Sequence, residues 1–134
     1  VYPYEYPYIT IPEEEQRDPS GLQDKPELVV QEENHNALLD AGVVCKFSTG
    51  FITEERLETL LDAEMDDLLE VGARIVHHER KFNNKRGFDR SDDSLPYEDE
   101  LPGFEDALDE YYALRGWNLD GTVPGTADTT TADD

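Results

Sequence analysis

The stretch TEERLETLLDAEMDDLLEVGARIVHHERKFNNKRG, running from Thr53 to Gly87, decides the fold class. Thr53 is placed to cap a helix, and Glu54 and Glu55 carry the charge that favours a helix N-terminus. Leu57, Leu60 and Leu61 recur at helical spacing and mark a buried stripe. One unbroken helix to Arg86 would be about 50 Å long at 1.5 Å per residue, so a break is expected near residues 63–66. The second piece sets Leu68, Gly72, Ile75, Glu79 and Phe82 on one face, and Gly87 ends it.

The same reading extends in both directions. Upstream, a helix is expected over residues 25–41, with Asp24 and Glu27 at capping-box spacing and Pro26 tolerated in the first turn. Leu28, His35, Leu38 and Leu39 recur along it, and Gly42 serves as the stop. A short apolar passage, Val43-Val44-Cys45-Lys46-Phe47, then leads into the loop Ser48-Thr49-Gly50. Downstream, residues 88–103 read as an irregular loop with a specific sequence. A last helix starts near Phe104, uses Leu108, Tyr111, Tyr112 and Arg115, and ends at Gly116. The expected architecture is an all-α, irregular helical domain of about four helices over residues 24–117, without a convincing strand pair. It is flanked by an extended Tyr/Pro-rich leader over 1–23 and a disordered acidic tail over 118–134.

Charge sets the function classes to discard. Against 33 acidic residues stand 11 basic ones, giving a net charge of −22 on 134 residues. Such a surface opposes unaided binding to nucleic acid or to an anionic lipid surface, since both need a basic footprint. The carboxylates run from Glu5 to Asp134 instead of forming one block, which argues against an acidic tail or a nucleic acid mimic. The balance suits a salt-accumulating halophile, where a Debye length of about 3 Å at 1 M salt screens self-repulsion. No apolar run approaches the ~18 residues that span a bilayer, and no signal-peptide pattern opens the chain. A single cysteine forms no intrachain disulfide, so a cytoplasmic protein is expected. The first residue is Val1, not Met, which suggests a piece of a longer chain.

Side-chain chemistry alone leaves function open. A lone cysteine such as Cys45 is ordinarily a small buried hydrophobe. A catalytic thiol would need a base, and His35, His77 and His78 are scattered relative to it. An iron–sulfur cluster normally needs four thiolates, of which this chain supplies one. Adjacent His77 and His78 point about 100° apart on a helix, so they cannot share one ion. Asp92-Asp93 and Glu98-Asp99-Glu100 lack the alternation and central glycine of a calcium loop and read as surface charge.

Three longer passages narrow this. Asp40-Ala41-Gly42-Val43-Val44-Cys45-Lys46-Phe47 resembles the Asp-x-x-Gly-(Leu/Val)-Cys motif, often continued by Lys-Phe, of the aldehyde ferredoxin oxidoreductase family of tungsten-pterin enzymes. Gly72-Ala73-Arg74-Ile75, followed by Glu79 to Phe88 and Arg90-Ser91-Asp92-Asp93-Ser94-Leu95-Pro96, resembles that family's long helix and the loop after it. Leu108-Asp109-Glu110-Tyr111-Tyr112-Ala113-Leu114-Arg115-Gly116-Trp117 is similar to its closing helix. The three occur in order, over about residues 24–124.

The resemblance implies that Cys45 is the fourth ligand of a [4Fe–4S] cluster, the other three coming from an upstream Cys-x-x-Cys-x-x-x-Cys. It implies that Asp40 and Val44 contact a pterin of a tungsten (or molybdenum) bis-pterin cofactor. A helix end and backbone amides around the loop would help to hold the cluster's negative charge. One position departs: the family's glycine falls where this chain has Val43, although the Asp-to-Cys spacing is kept. The implied partners are the upstream domains of the same enzyme, ferredoxin and a small aldehyde, with this piece inactive alone. The competing expectation is a stand-alone acidic helical module that binds a protein partner and has no redox role.

Overall fold

The computed structural model describes residues 22, 24–45, 51–96 and 101–125. The Tyr/Pro leader apart from Leu22, the loop around Ser48, residues 97–100 with the Glu98-Asp99-Glu100 run, and residues 126–134 fall outside the described residues. Four α-helices form the domain, and no strand occurs among the described residues: α1 (Lys25–Ala41), α2 (Glu54–Leu61), α3 (Met65–Lys85) and α4 (Phe104–Arg115). A single 3₁₀ turn, Arg90–Asp92, lies between α3 and α4. The break after α2 falls where expected, with Asp62 in the left-handed region at φ 53°.

The two expected N-caps are built differently. Asp24 and Thr53 stand at the N-cap positions of α1 and α2, yet neither side chain makes the capping hydrogen bond. Asp24 sits at φ 59°, away from the extended backbone that a capping side chain needs. The reciprocal capping box forms instead around the 3₁₀ turn, where Asp89 accepts from Ser91 and Asp92 accepts from the Asp89 amide at 2.9 Å.

The third end, that of α1, decides the shape of the cysteine loop. Gly42 is right-handed, at φ −76°, and the left-handed residue is Val43 at φ 56°. The Val44 amide donates to the Leu39 carbonyl and the Val43 amide to that of Asp40. That pair of bonds is the Schellman motif, which places its left-handed residue one position past the expected glycine. Val44 then packs on the core beside Leu39. A β-branched residue in this region is strained, by about 1–2 kcal/mol or more. We therefore expect Val43→Gly to stabilise the chain by about 1 kcal/mol, after the extra entropy of glycine in the unfolded state is subtracted. Urea unfolding of the two proteins measures it, and an unchanged or lower midpoint would argue against strain at this residue.

Helices α1 and α3 pack antiparallel. Leu38 and Leu39 of α1 join Leu57 of α2 and Met65 and Leu68 of α3 in one buried cluster, with Val44, Ile52, Ala63 and Leu69 around it. At the crossing Gly72 meets the backbone of Asn34. A second cluster, Tyr112, Trp117 and Val123, sits at the other end against Val76 and Leu108. Burying side chains of this size contributes about 1.5–3 kcal/mol each.

Two expectations change here. The inward row of α3 follows an i, i+4 ladder through Leu68, Gly72, Val76, Arg80 and Asn84, because α4 and the chain after it lie on that side. Glu79 and Phe82 consequently face out, Phe82 with 59% of its surface exposed. The chain after α4 is also no tail at its start, since Val123 is 1% exposed and its amide donates to Asn84 Oδ1 at 2.9 Å.

Candidate functional site

Two places hold side chains arranged for a purpose: the loop that ends α1, and the contact between α3, the 3₁₀ turn and α4.

At the first, Cys45 is an exposed free thiol, one residue beyond the Schellman turn. Its exposure departs from the buried position usual for a lone cysteine. Asp40, on the last turn of α1, is exposed as well, while Val44 is half-buried and turns its side chain into the core. The described residues up to Val44 do not supply the expected anion environment. The amides of Gly42, Val43 and Val44 are spent on carbonyls of α1. The helix end beside Cys45 is a C-terminus, whose partial charge is negative and does not favour an anion. Among the described residues, no group of three or more His, Cys, Asp or Glu side chains could hold a metal ion. What the described part of this loop offers is a single solvent-facing thiol.

The second place is a closed polar network. Arg80 donates from Nη1 and Nη2 to the two carboxylate oxygens of Asp93, at 2.8 and 2.5 Å, and from Nε to the Gly121 carbonyl at 2.7 Å. The Tyr112 hydroxyl donates to Asp93 as well. The guanidinium of Arg80 lies 5.2 Å from the Trp117 ring centroid and 5.9 Å from that of Tyr112; Arg90 lies 5.3 Å from the Tyr112 centroid. Cations this close to aromatic faces contribute about 0.5–2 kcal/mol each. Arg90 also bridges to Glu105 at 2.6 Å and to Asp109 at 2.7 Å, tying the 3₁₀ turn to α4. Burial works against the Arg80 charge, but the hydrogen bonds and charge of Asp93 outweigh it and hold the guanidinium pKa above its ordinary value. Asp93, read as surface charge beside Asp92, is thus a structural carboxylate, recruited because the Asp89–Asp92 box turns the chain back towards α3.

A third set of contacts links α4 to α1. Arg115 donates to Glu33 and to Asn34 Oδ1, each at 2.6 Å, and the Tyr111 hydroxyl donates to Glu33 at 2.7 Å. Burial first, then the Glu33 charge, pushes the Tyr111 phenol well above its usual range; burial and Asp93 do the same to Tyr112. A raised folded-state pKa contributes stability that is full below the unfolded phenol pKa of about 10 and is lost as pH rises past it. We expect stability to fall from about pH 10 upward and Tyr112→Phe to flatten that fall, read from urea midpoints across the range. An identical slope in the variant would argue against the assignment.

His77 and His78 do not converge on one point. His77 and His78 rings lie 6.3 Å apart with planes at 86°, and the Nδ1 of His77 accepts from the Trp117 indole at 3.4 Å. The positions missed by spacing arguments are Val43 and Asp93. The glycine that the resembled motif carries at this place was the available signal for Val43; for Asp93 no local pattern gives one.

Comparison with known proteins bears on the first place. The sequence profile described as "Aldehyde ferredoxin oxidoreductase, domains 2 & 3" matches residues 2–128. Tungsten-containing aldehyde ferredoxin oxidoreductases of Pyrococcus abyssi and Pyrococcus furiosus are each 32% identical to this chain, and that of Thermococcus kodakarensis is 31% identical. In each case the similarity covers 89% of this chain and 22% of the relative. The chain thus spans about a fifth of the length of the curated relatives it matches. No solved structure matches it.

Proposed function

This chain belongs to the aldehyde ferredoxin oxidoreductase family, and from that premise we propose that it forms the C-terminal helical part of a tungsten-dependent enzyme oxidising aldehydes to carboxylic acids. In this reading the folded unit begins near Asp24, and its role is to present one thiolate, Cys45, to a [4Fe–4S] cluster whose other three ligands lie elsewhere in the parent polypeptide. The observation that carries the reading is the exposed thiol just past a Schellman turn, in a chain with no second cysteine. A structural cysteine would be covered; a ligand shared across an interface must protrude.

The neighbouring residues support this role in different ways. Asp40 is exposed and within one helical turn of the loop, where its carboxylate is free to accept a hydrogen bond from a pterin edge. Val44 offers only its backbone, because its side chain belongs to the core. That anchoring fixes the Cα of Cys45 relative to α1 and α2, which is the positioning a redox centre needs. A bound cluster would relay electrons, and a tungsten-pterin would supply the oxidative chemistry; ferredoxin is the acceptor that this reading assigns. The carboxylate-rich surface fits a salt-rich cytoplasm.

The test is compositional. The parent enzyme, purified without oxygen, should contain tungsten and about four irons for each cluster. A parent with tungsten but no iron would remove the role given to Cys45, and one with neither would favour an interaction module.

A further inference from the structure

Three oxidisable rings meet where α4 ends. Trp117 lies edge-on to Tyr111 with centroids 5.6 Å apart and tilted against Tyr112 at 6.2 Å, and the two tyrosine rings are 6.0 Å apart. Tyr112 is wholly buried and Trp117 nearly so. Packing alone accounts for such a cluster, because aromatic pairs prefer tilted and edge-on arrangements. It does not account for a second feature. Each ring gives its one N–H or O–H to a base of its own: the Trp117 indole to His77 Nδ1, the Tyr112 hydroxyl to Asp93 and the Tyr111 hydroxyl to Glu33. Every acceptor is a side chain that can take up a proton.

Each ring also has a guanidinium beside it. Arg80 stands 5.2 Å from the Trp117 centroid and 5.9 Å from that of Tyr112, and Arg115 stands 5.6 Å from that of Tyr111. A cation near a ring is attracted to the neutral ring and opposes positive charge on it. A ring that loses an electron here therefore has to release its proton, and the acceptor is already in place. Burial and the neighbouring carboxylates keep both phenols protonated near neutral pH, so electron and proton leave the tyrosines together.

We propose that Trp117, Tyr112 and Tyr111, with His77, Asp93 and Glu33 as their proton acceptors, form a relay that takes one oxidising equivalent from an oxygen-derived radical and holds it as a neutral tyrosyl radical. Electrons and protons balance at each step. The oxidant takes one electron from Trp117 and is reduced, and the indole proton passes to His77. Trp117 then takes an electron from Tyr112, whose phenol proton goes to Asp93 while His77 returns the proton to the indole. Tyr112 is restored in the same way by an electron from Tyr111, with the Tyr111 proton moving to Glu33 and Asp93 giving its proton back. Glu33 has 41% of its side chain exposed, so the last radical lies near solvent. There a dissolved thiol can give Tyr111 a hydrogen atom and become a thiyl radical, while Glu33 releases its proton to water. Every protein group involved belongs to this chain, so the relay works whether or not Cys45 holds a cluster.

The experiment is pulse radiolysis of the 134-residue chain carrying Cys45→Ser, which removes a competing thiol, with azidyl radical as the one-electron oxidant. The chain has a single tryptophan, so all indolyl absorption belongs to Trp117. Its decay should match a rise in tyrosyl absorption, at a rate independent of protein concentration, and both should slow in deuterium oxide. With Tyr111→Phe and Tyr112→Phe together, the indolyl radical should decay only by encounters between molecules, at a rate that rises with protein concentration. Glu33→Gln with Asp93→Asn keeps the rings and removes both carboxylates, and should slow the matched phase about tenfold. Near-ultraviolet circular dichroism checks that the variants keep their packing, and the deuterium effect needs no variant at the rings. The same indolyl decay in the double phenylalanine variant, or equal rates in ordinary and heavy water, would overturn the relay and leave the three rings as packing alone.

Discussion

Gly72→Ala is expected to unfold the chain, or to leave it without fixed packing around Trp117. A Cβ on Gly72 would stand 2.0 Å from the Asn34 carbonyl oxygen and 2.8 Å from its carbon. Both atoms are backbone in the middle of α1, so no flexible side chain can swing aside. The two helices would have to separate, and the cluster of Leu38, Leu39, Met65 and Leu68 depends on their approach. Alanine's higher helix propensity returns about 1 kcal/mol. Overpacking at a helix crossing removes about 3 kcal/mol or more, a large part of the 5–15 kcal/mol typical of a whole domain. Near-ultraviolet circular dichroism and urea unfolding at fixed salt measure the loss. Gly87→Ala is the contrast: its φ is +91°, but nothing lies within 4 Å of the added carbon, so only about 1 kcal/mol is expected. A Gly72→Ala protein as stable as wild type would mean that α1 and α3 do not cross as closely as described.

Asp93→Ala carries the second-largest effect. It removes the acceptor of two Arg80 bonds and of the Tyr112 hydroxyl, while Arg80, with 11% of its side chain exposed, stays between Trp117 and Tyr112. Breaking a partly buried pair by deleting one member costs about 2–4 kcal/mol, because the remaining charge is left without compensation. Asp92→Ala, next in sequence but exposed and bonded only within the 3₁₀ turn, should cost about 1 kcal/mol or less. If the two variants unfold at the same urea concentration, Asp93 is ordinary surface charge.

What the sequence revealed depended on how local the cause was. Helix positions were legible because Gly116, Gly87 and the leucine spacing act within a few residues of themselves. The caps of α1 and α2 were legible as positions but not as bonds, since the Asp24 backbone turns left-handed and the Thr53 hydroxyl is not used. The facing of α3 beyond Gly72 was set by residues some forty positions away: Gly121 reaches Arg80 and Val123 reaches Asn84. No helical period encodes that return of the chain, and helical spacing by itself puts Glu79 and Phe82 inward. At the candidate site, the resemblance of residues 40–47 to the family motif, and not spacing by itself, implies a ligand role for Cys45. It did not show that Val43, in the place of a glycine, would take up the glycine's backbone conformation.

We propose that Cys45 is a cluster ligand presented across an interface. The most direct test is the visible and electron paramagnetic resonance spectrum of the anaerobically purified parent enzyme carrying Cys45→Ser, beside wild type. Loss of the iron–sulfur absorption, or a changed cluster signal, with helical content unchanged by circular dichroism is the predicted result. Spectra and iron content indistinguishable from wild type would contradict it.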